Sequence, residues 1–474
     1  MSKRIFKTML LAATLLGVAM ASTSCDDGRE NILKVYNWGD YIDEDLLVEF
    51  EDWYMEQTGE EVEIIYQTFD INEVMLAKIE NGHADFDVVC PSEYIVERMM
   101  RDEMILPILT PDFLAELDSK GINYFDCISP YIKEQFSMLE APEGQDPNDY
   151  AVGYMWGTTG ILYNKEYITD EEALSWDLMF DKRLNDKILV KDAFRDVYSP
   201  MLIYAKTLEA RANGTLGEDE MLDIEYIREL MFDSSDESIA IVESYLKRMK
   251  DLVAGWEADF GKEMMTQEKA WINLMWSGDA VWAIEEAAEV DVELAYAVPH
   301  EGSVVWFDGW VIPKYAKNVR AARYFIDYMC MPENAIRNMD MTGYVSVIAT
   351  EEVLDAMRDD ELETVCDLSY LFRHNDGTPI EGADSVHIDD VMYPDISVIE
   401  RCAVMHDSGD RTDKMLEMWS RVKGDNLSVG MLVGIILFFT ALFLWGIWRK
   451  IDKYRKRQRH IKRRRSHNER KAKS

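Results

Sequence analysis

The sequence is poor in cysteine and histidine and, over most of its length, in positive charge. Six cysteines and seven histidines are spread over 474 residues. No CxxC pair occurs, and no HExxH or other ligand spacing, which argues against a zinc motif and a disulfide-rich scaffold. No metal and no cofactor is expected. Cys90, Cys127, Cys330, Cys366 and Cys402 leave room for one or two bridges without specifying a pairing. There is no internal repeat. Residues 25 to about 426 hold 33 of the 50 Lys/Arg against 88 of the 90 Asp/Glu, so this segment carries a formal charge of about −55. A charge of that size attracts cations and repels anions, although most of these carboxylates need do no more than keep a surface soluble.

The two ends carry their own signals. Lys3, Arg4 and Lys7 precede an apolar stretch, Met9 to Ala19, and the small-residue run "ASTSC". This is a secretory signal, residues 1–24. Small residues leading directly into Cys25 resemble a bacterial lipobox, in which the cysteine is lipidated; ordinary cleavage with an incidental thiol is the plainer alternative. Residues 25–32 would form a tether. At the other end Leu427 to Trp448 is a run of 22 residues without a charge, long enough for a helix across a bilayer core of roughly 30 Å. Residues 449–474 follow with 14 Lys/Arg against Asp452 and Glu469. The sequence therefore predicts a transmembrane helix at 427–448 and a basic cytoplasmic tail at 449–474. Lipid headgroups explain this tail more economically than nucleic acid does, and no nucleic-acid partner is expected.

Between the ends, strand and helix signals alternate. "LKVYNW" reads as a strand, followed by Leu47, Phe50 and Tyr54 at helical spacing and a stop at Gly59. "EVEIIYQTF" is a second strand, "INEVMLAKIENG" a helix, and "FDVVCP" a short apolar strand after which Ser92 can cap the helix "SEYIVERMMRDE". This order implies parallel strands with helices on the sheet faces, and such sheets bind ligands beyond the carboxyl ends of their strands. "AVGYMWGTTGILYNKEY" reads as a strand crossing to a second lobe, with a return crossing near Asp308.

Six short segments place an aromatic, a carboxylate or both at an element end: Trp38-Gly39-Asp40-Tyr41, Ser92-Glu93-Tyr94, Arg195-Asp196, Trp276-Ser277-Gly278-Asp279, Trp306-Phe307-Asp308 and Gly343-Tyr344. Only Arg195 adds positive charge. A cation with several charges separated by methylenes needs such partners. Carboxylates neutralise each ammonium through charge-assisted hydrogen bonds, and Trp or Tyr faces cover the methylenes while attracting the charge. Taken singly, each segment has a duller reading. Trp276 continues an apolar run and reads more readily as core, one of Trp306 and Trp310 must face the interior, and Asp196 could pair with Arg195.

"YNWGDYI", "FDVVCPSEYIVERM", "GYMWGTTGILYN", "LMWSGDAVWA", "VWFDGWVIP" and "TGYVS" occur in this order over roughly residues 33 to 425. Together they resemble the periplasmic spermidine/putrescine-binding proteins of ABC importers. The resemblance implies an α/β, two-lobed periplasmic binding protein of type II with hinge crossings, here with the C-terminal transmembrane helix added. Lobe 1 would hold residues 33–150 and 309–350, and lobe 2 residues 151–308 and 351–425. It implies a ligand site of Trp38, Asp40, Tyr41, Ser92, Tyr94, Asp196, Trp276, Asp279, Trp306, Asp308 and Tyr344, closing on a polyamine for delivery to ABC permease subunits. Asp40 and Asp279 match acidic positions of putrescine-type members. Where spermidine-type members carry an aspartate this sequence has Ala193, with Asp192 one place away, and a glutamine is replaced by Met405 or His406, which disfavours the longer amine. The protein would then be a non-catalytic receptor on the periplasmic face of the inner membrane, anchored by Cys25 and the C-terminal helix. The competing reading is an extracytoplasmic glycosidase or carbohydrate-binding protein, with paired carboxylates and aromatic sugar platforms.

Overall fold

The computed structural model describes residues 29–424 apart from 219 and 259. One mixed sheet forms its backbone. Strands β1 (Ile32–Trp38), β2 (Glu63–Phe69) and β3 (Val88–Val89) are parallel, β1 lying between the other two. Each is followed by a helix, respectively Asp45–Thr58, Asn72–Glu80 and Glu93–Arg101. The alternating apolar residues of β1 explain its central place: Leu33 and Val35 are fully buried. The first helix buries Leu46, Leu47, Phe50 and Tyr54 and stops at Gly59, whose φ of 76° suits a residue without Cβ.

After the short β4 (Ile105–Leu106), the chain enters β5 (Ala151–Asn164), fourteen residues all buried. Then come β6 (Ile188–Lys191), β7 (Val253–Glu257), β8 (Ile272–Trp276) and β9 (Leu294–Ala297), and the long β10 (Ser303–Pro313). The strand order is β2-β1-β3-β10-β5-β8-β6-β7. Three parallel strands thus stand at each end, since β6 is parallel to both β7 and β8. The antiparallel pair β5 and β10 joins them, from Val305 opposite Thr158 to Val311 opposite Ala151. The amino-terminal half of β5 pairs with β10 on the β3 side, and its other half pairs with β8 and β9. This gives two α/β lobes sharing two central ribs. The register of β10 breaks between Asp308 and Gly309, at the passage between the lobes. A last short strand used below, β11 (Val345–Ser346), pairs with β5 at Met155 and Trp156.

A large compact unit ends at Met415 and holds the whole sheet; a short one begins at Leu416, and its described residues belong to the helix Thr412–Gly424. Cys90, Cys127, Cys330, Cys366 and Cys402 are all free thiols.

The fold class expected from the sequence is corrected in one respect. Among the described residues no helix is long and apolar enough to cross a membrane. The last described helix, Thr412–Gly424, is 13 residues long and carries Asp413, Lys414, Glu417, Arg421 and Lys423 among its apolar positions. Over the described residues the fold is therefore the two-lobed α/β architecture, with no membrane-crossing helix among them. The run 427–448, the tail 449–474, the signal 1–24 and Cys25 all lie outside the described residues.

Candidate functional site

Strand tips from both lobes meet around one carboxylate. Asp308, at the register break of β10, is 5% exposed. The Tyr41 hydroxyl donates to its Oδ2 at 2.9 Å and the Ser92 hydroxyl to its Oδ1 at 2.7 Å. Ser92 does stand at the N-cap of the helix Glu93–Arg101, but its side chain makes no capping bond. The hydroxyl is turned to Asp308 instead, and Asn72 holds it there, its Nδ2 donating to Ser92 Oγ and to the Tyr94 hydroxyl at 3.0 Å each. The Tyr94 hydroxyl donates in turn to Glu73 Oε1 at 3.2 Å. Asn72 and Glu73 were not among the residues picked out by sequence. They open a helix directly after a strand tip, which is the signal that could have found them.

Five aromatic rings in edge-on contact form a chain that ends on Tyr41, the ring whose hydroxyl meets Asp308. Trp38 and Trp276 have centroids 6.3 Å apart, Trp276 and Trp306 6.5 Å, Trp306 and Tyr344 5.6 Å, and Tyr344 and Tyr41 4.9 Å, with interplanar angles between 65° and 84°. Two glycines make the close approach possible. A Cβ on Gly157 would stand 2.6 Å from the Trp306 ring, and one on Gly278 2.2 Å from the Tyr344 ring. Trp310, two residues beyond Asp308, faces the other way and packs on Tyr154 and Phe325 in the interior.

Two further carboxylates border the rings. Asp196, in the first turn of the helix Phe194–Ala212, accepts from Trp276 Nε1 at 2.8 Å. Its neighbour Arg195 does not pair with it. That guanidinium donates to Ser408 Oγ and to the carbonyls of Met231 and His406. Asp279, in the first turn of the helix Ser277–Ala288, accepts from the Tyr344 hydroxyl at 2.9 Å. It also meets a cation that the sequence reading passed over. Lys191, the last residue of β6 and 1% exposed, puts its Nζ 2.5 Å from Asp279 Oδ2, 3.5 Å from Glu257 Oε1 and 4.3 Å from the Trp276 ring centroid. Lys262 Nζ stands 3.6 Å from the other Asp279 oxygen.

Burial and charge divide these acids. Burial pushes the Asp308 carboxyl up to about 7, against the Ser92 and Tyr41 hydrogen bonds and with help from the charge of Asp196. Burial likewise pushes Asp196 up to about 6, although the Trp276 hydrogen bond and the charges of Arg195 and Lys191 oppose it. Glu93, whose Oε2 accepts from the Phe307 amide at 3.0 Å, is likewise pushed well above its ordinary value by burial. At Asp279 burial also acts upward, yet Lys191 and Lys262 outweigh it and hold the carboxyl below its ordinary value.

The structure thus gathers Trp38, Tyr41, Ser92, Tyr94, Asp196, Trp276, Asp279, Trp306, Asp308 and Tyr344 into one connected network. Asp40 stays apart. It sits in the turn after β1 with φ of 50° and is exposed. The left-handed turn carries its side chain into solvent while Tyr41, next in the chain, turns inward. Of the two residues standing where a family glutamine was expected, His406 has its ring engaged by Glu97 Oε1 at 3.0 Å and stacked on Phe232, and Met405 is buried.

A two-lobed α/β sheet with a polar, aromatic-walled cluster at the facing strand tips defines a binding protein of the solute-receptor class. The comparisons carry this a step further: residues 49–364 match the family of bacterial extracellular solute-binding proteins, and the chain belongs to it. It is 27% identical over 337 residues to the spermidine/putrescine-binding periplasmic protein of Escherichia coli, covering 71% of this chain and 82% of that one. It is 27% identical over 370 residues to the putrescine-binding periplasmic protein SpuD of Pseudomonas aeruginosa, covering 76% and 90%. Among solved structures it resembles the spermidine/putrescine substrate-binding protein PotD of Streptococcus pneumoniae, with a TM-score of 0.55 and 26% identity over 83% of this chain and 98% of that one.

Proposed function

We propose that the aromatic cage binds a polyamine, and that the protein is a non-catalytic receptor handing it to the permease subunits of an ABC importer outside the cytoplasm. One observation carries this reading. Asp308 and Asp196 are buried among tryptophan and tyrosine rings with neutral donors for hydrogen-bond partners. Leaving ionised carboxylates buried without a counter-charge is costly, and an ammonium supplies what the folded chain withholds. Each ammonium–ring contact would add about 0.5–2 kcal/mol, and each charge-assisted hydrogen bond about 1.5–3 kcal/mol.

The groups come from both lobes: Tyr41 and Ser92 follow β1 and β3, whereas Asp196 follows β6 and Trp276 closes β8. A ligand touching both sets favours the closed arrangement through contacts it makes only there. The relatives named above, which bind spermidine or putrescine by description, support the same cargo class. Within this proposal Cys25 carries a lipid anchor, on the strength of the small-residue run before it.

Calorimetry on the protein without its signal peptide tests the proposal. Heat with putrescine or spermidine is expected, and none with oligosaccharides. Heat with a sugar alone, or turnover of one, would overturn it in favour of a carbohydrate-directed function.

A further inference from the structure

We infer that Lys191 acts as a built-in ammonium which fills the Trp276–Asp279 end of the cage, so that the site takes a diamine and discriminates against a triamine. The inference rests on the polyamine reading above and specifies it. The cage recognises an ammonium with a carboxylate and an aromatic face, and at this end both are already used by the chain itself. The Lys191 Nζ lies 2.5 Å from Asp279 Oδ2 and 4.3 Å from the centroid of the Trp276 ring. The remaining Asp279 oxygen accepts from Tyr344 and has Lys262 at 3.6 Å. Glu257, fully buried, fixes Lys191 from the other side at 3.5 Å and is itself held by Asn273 Nδ2 at 3.1 Å and by the Gly261 amide at 3.1 Å.

A tethered cation has the advantage over a dissolved one, because its encounter with the carboxylate is intramolecular. A ligand ammonium would have to take Asp279 from a lysine that is 1% exposed, leaving that buried amine its weaker contact with Glu257 at 3.5 Å. Of the acids that accept from the five rings, Asp196 and Asp308 then have no cationic partner within ion-pair distance among the described residues; Glu73 and Glu93 lie behind them, accepting from Tyr94 and from the Phe307 amide. Two carboxylates match the two charges of a short diamine. A third ammonium at the Asp279 end would meet a like charge, which disfavours it.

The test compares putrescine and spermidine affinities by calorimetry in the wild type and in Lys191→Met, which keeps an unbranched chain and removes the charge. The wild type should favour putrescine at least tenfold, and Lys191→Met should move the ratio at least tenfold towards spermidine. The double variant Lys191→Met/Asp279→Asn, which removes the buried pair together, should lose that gain for spermidine. Equal wild-type affinities would overturn the inference even if Lys191→Met failed to fold, and so would an unchanged ratio in a folded single variant. In either case the polyamine reading stands. If neither amine binds the wild type, that reading itself falls.

Discussion

Two aspartates of the site, both buried, have opposite electrostatic fates. Asp279 is met by Lys191 and Lys262, which hold its carboxyl below the ordinary value against burial. Asp308 is met by two hydroxyls, and burial pushes it up to about 7. The difference shows that a buried acid in a cleft is not by itself a ligand group. What marks the ligand group is that its counter-charge is missing from the chain. By that criterion the Asp279 corner is complete and the Asp308 corner is waiting.

This contrast is open to direct test. The largest effect is expected from Asp279→Ala, which takes the nearer carboxylate from the buried Lys191 ammonium and leaves it Glu257 at 3.5 Å. Removing one partner of a buried pair typically costs about 3–5 kcal/mol, so denaturant unfolding should show a lower midpoint at unchanged slope. An unaltered midpoint would mean that Asp279 and Lys191 are not coupled as described.

Affinity should depend steeply on pH. A cationic ligand needs Asp308 and Asp196 ionised, and their values of about 7 and 6 mean that both take up protons as the pH falls below neutral. Polyamine affinity should drop by roughly two to three orders of magnitude between pH 8 and pH 5. A flat profile would separate these acids from binding. The sign for folding is the reverse. In the ligand-free protein these two carboxyls bind protons more tightly than in the unfolded chain, so their contribution to stability declines as the pH rises from about 4 to 7. Asp279, held low, contributes stability above its ordinary value of 3.8, and that contribution is lost as the pH falls below it.

Asp308→Asn joins the two signs in one variant. Polyamine binding should weaken at least tenfold, because a desolvated ammonium loses its counter-charge. The ligand-free protein should nevertheless become more stable at pH 7, by no more than about 4 kcal/mol. Loss of binding together with loss of stability would point to a structural role instead. The smallest effect belongs to Asp40→Ser. With that carboxylate in solvent, the putrescine-to-spermidine ratio should change less than twofold, and a larger change would show that the turn after β1 folds inward on the ligand.

How far the site could be read in advance follows from the same physics. The strand–helix alternation of the first lobe was legible because β1 is apolar on buried positions and each helix ends at a turn signal. The rings were legible because bulky aromatics at strand tips are out of place in ordinary turns. Lys191 was not, because a lysine closing a strand normally reaches solvent, and only the fold brings Glu257 and Asp279 to it from 66 and 88 residues away. Asp40 misled for the converse reason: its neighbours point inward, and a single positive φ reverses it alone. Ser92 looked like a helix cap, the local role of a serine before a helix, until Asn72 and Asp308 gave its hydroxyl other partners.

The two ribs have a practical corollary for anyone wishing to work with one half of the molecule. Because β5 and β10 serve both lobes and all their residues are buried, excising either lobe at the crossing would leave long greasy edges with unpaired amides and carbonyls, an invitation to aggregate. The receptor has to be expressed, dissected and re-engineered as an indivisible whole.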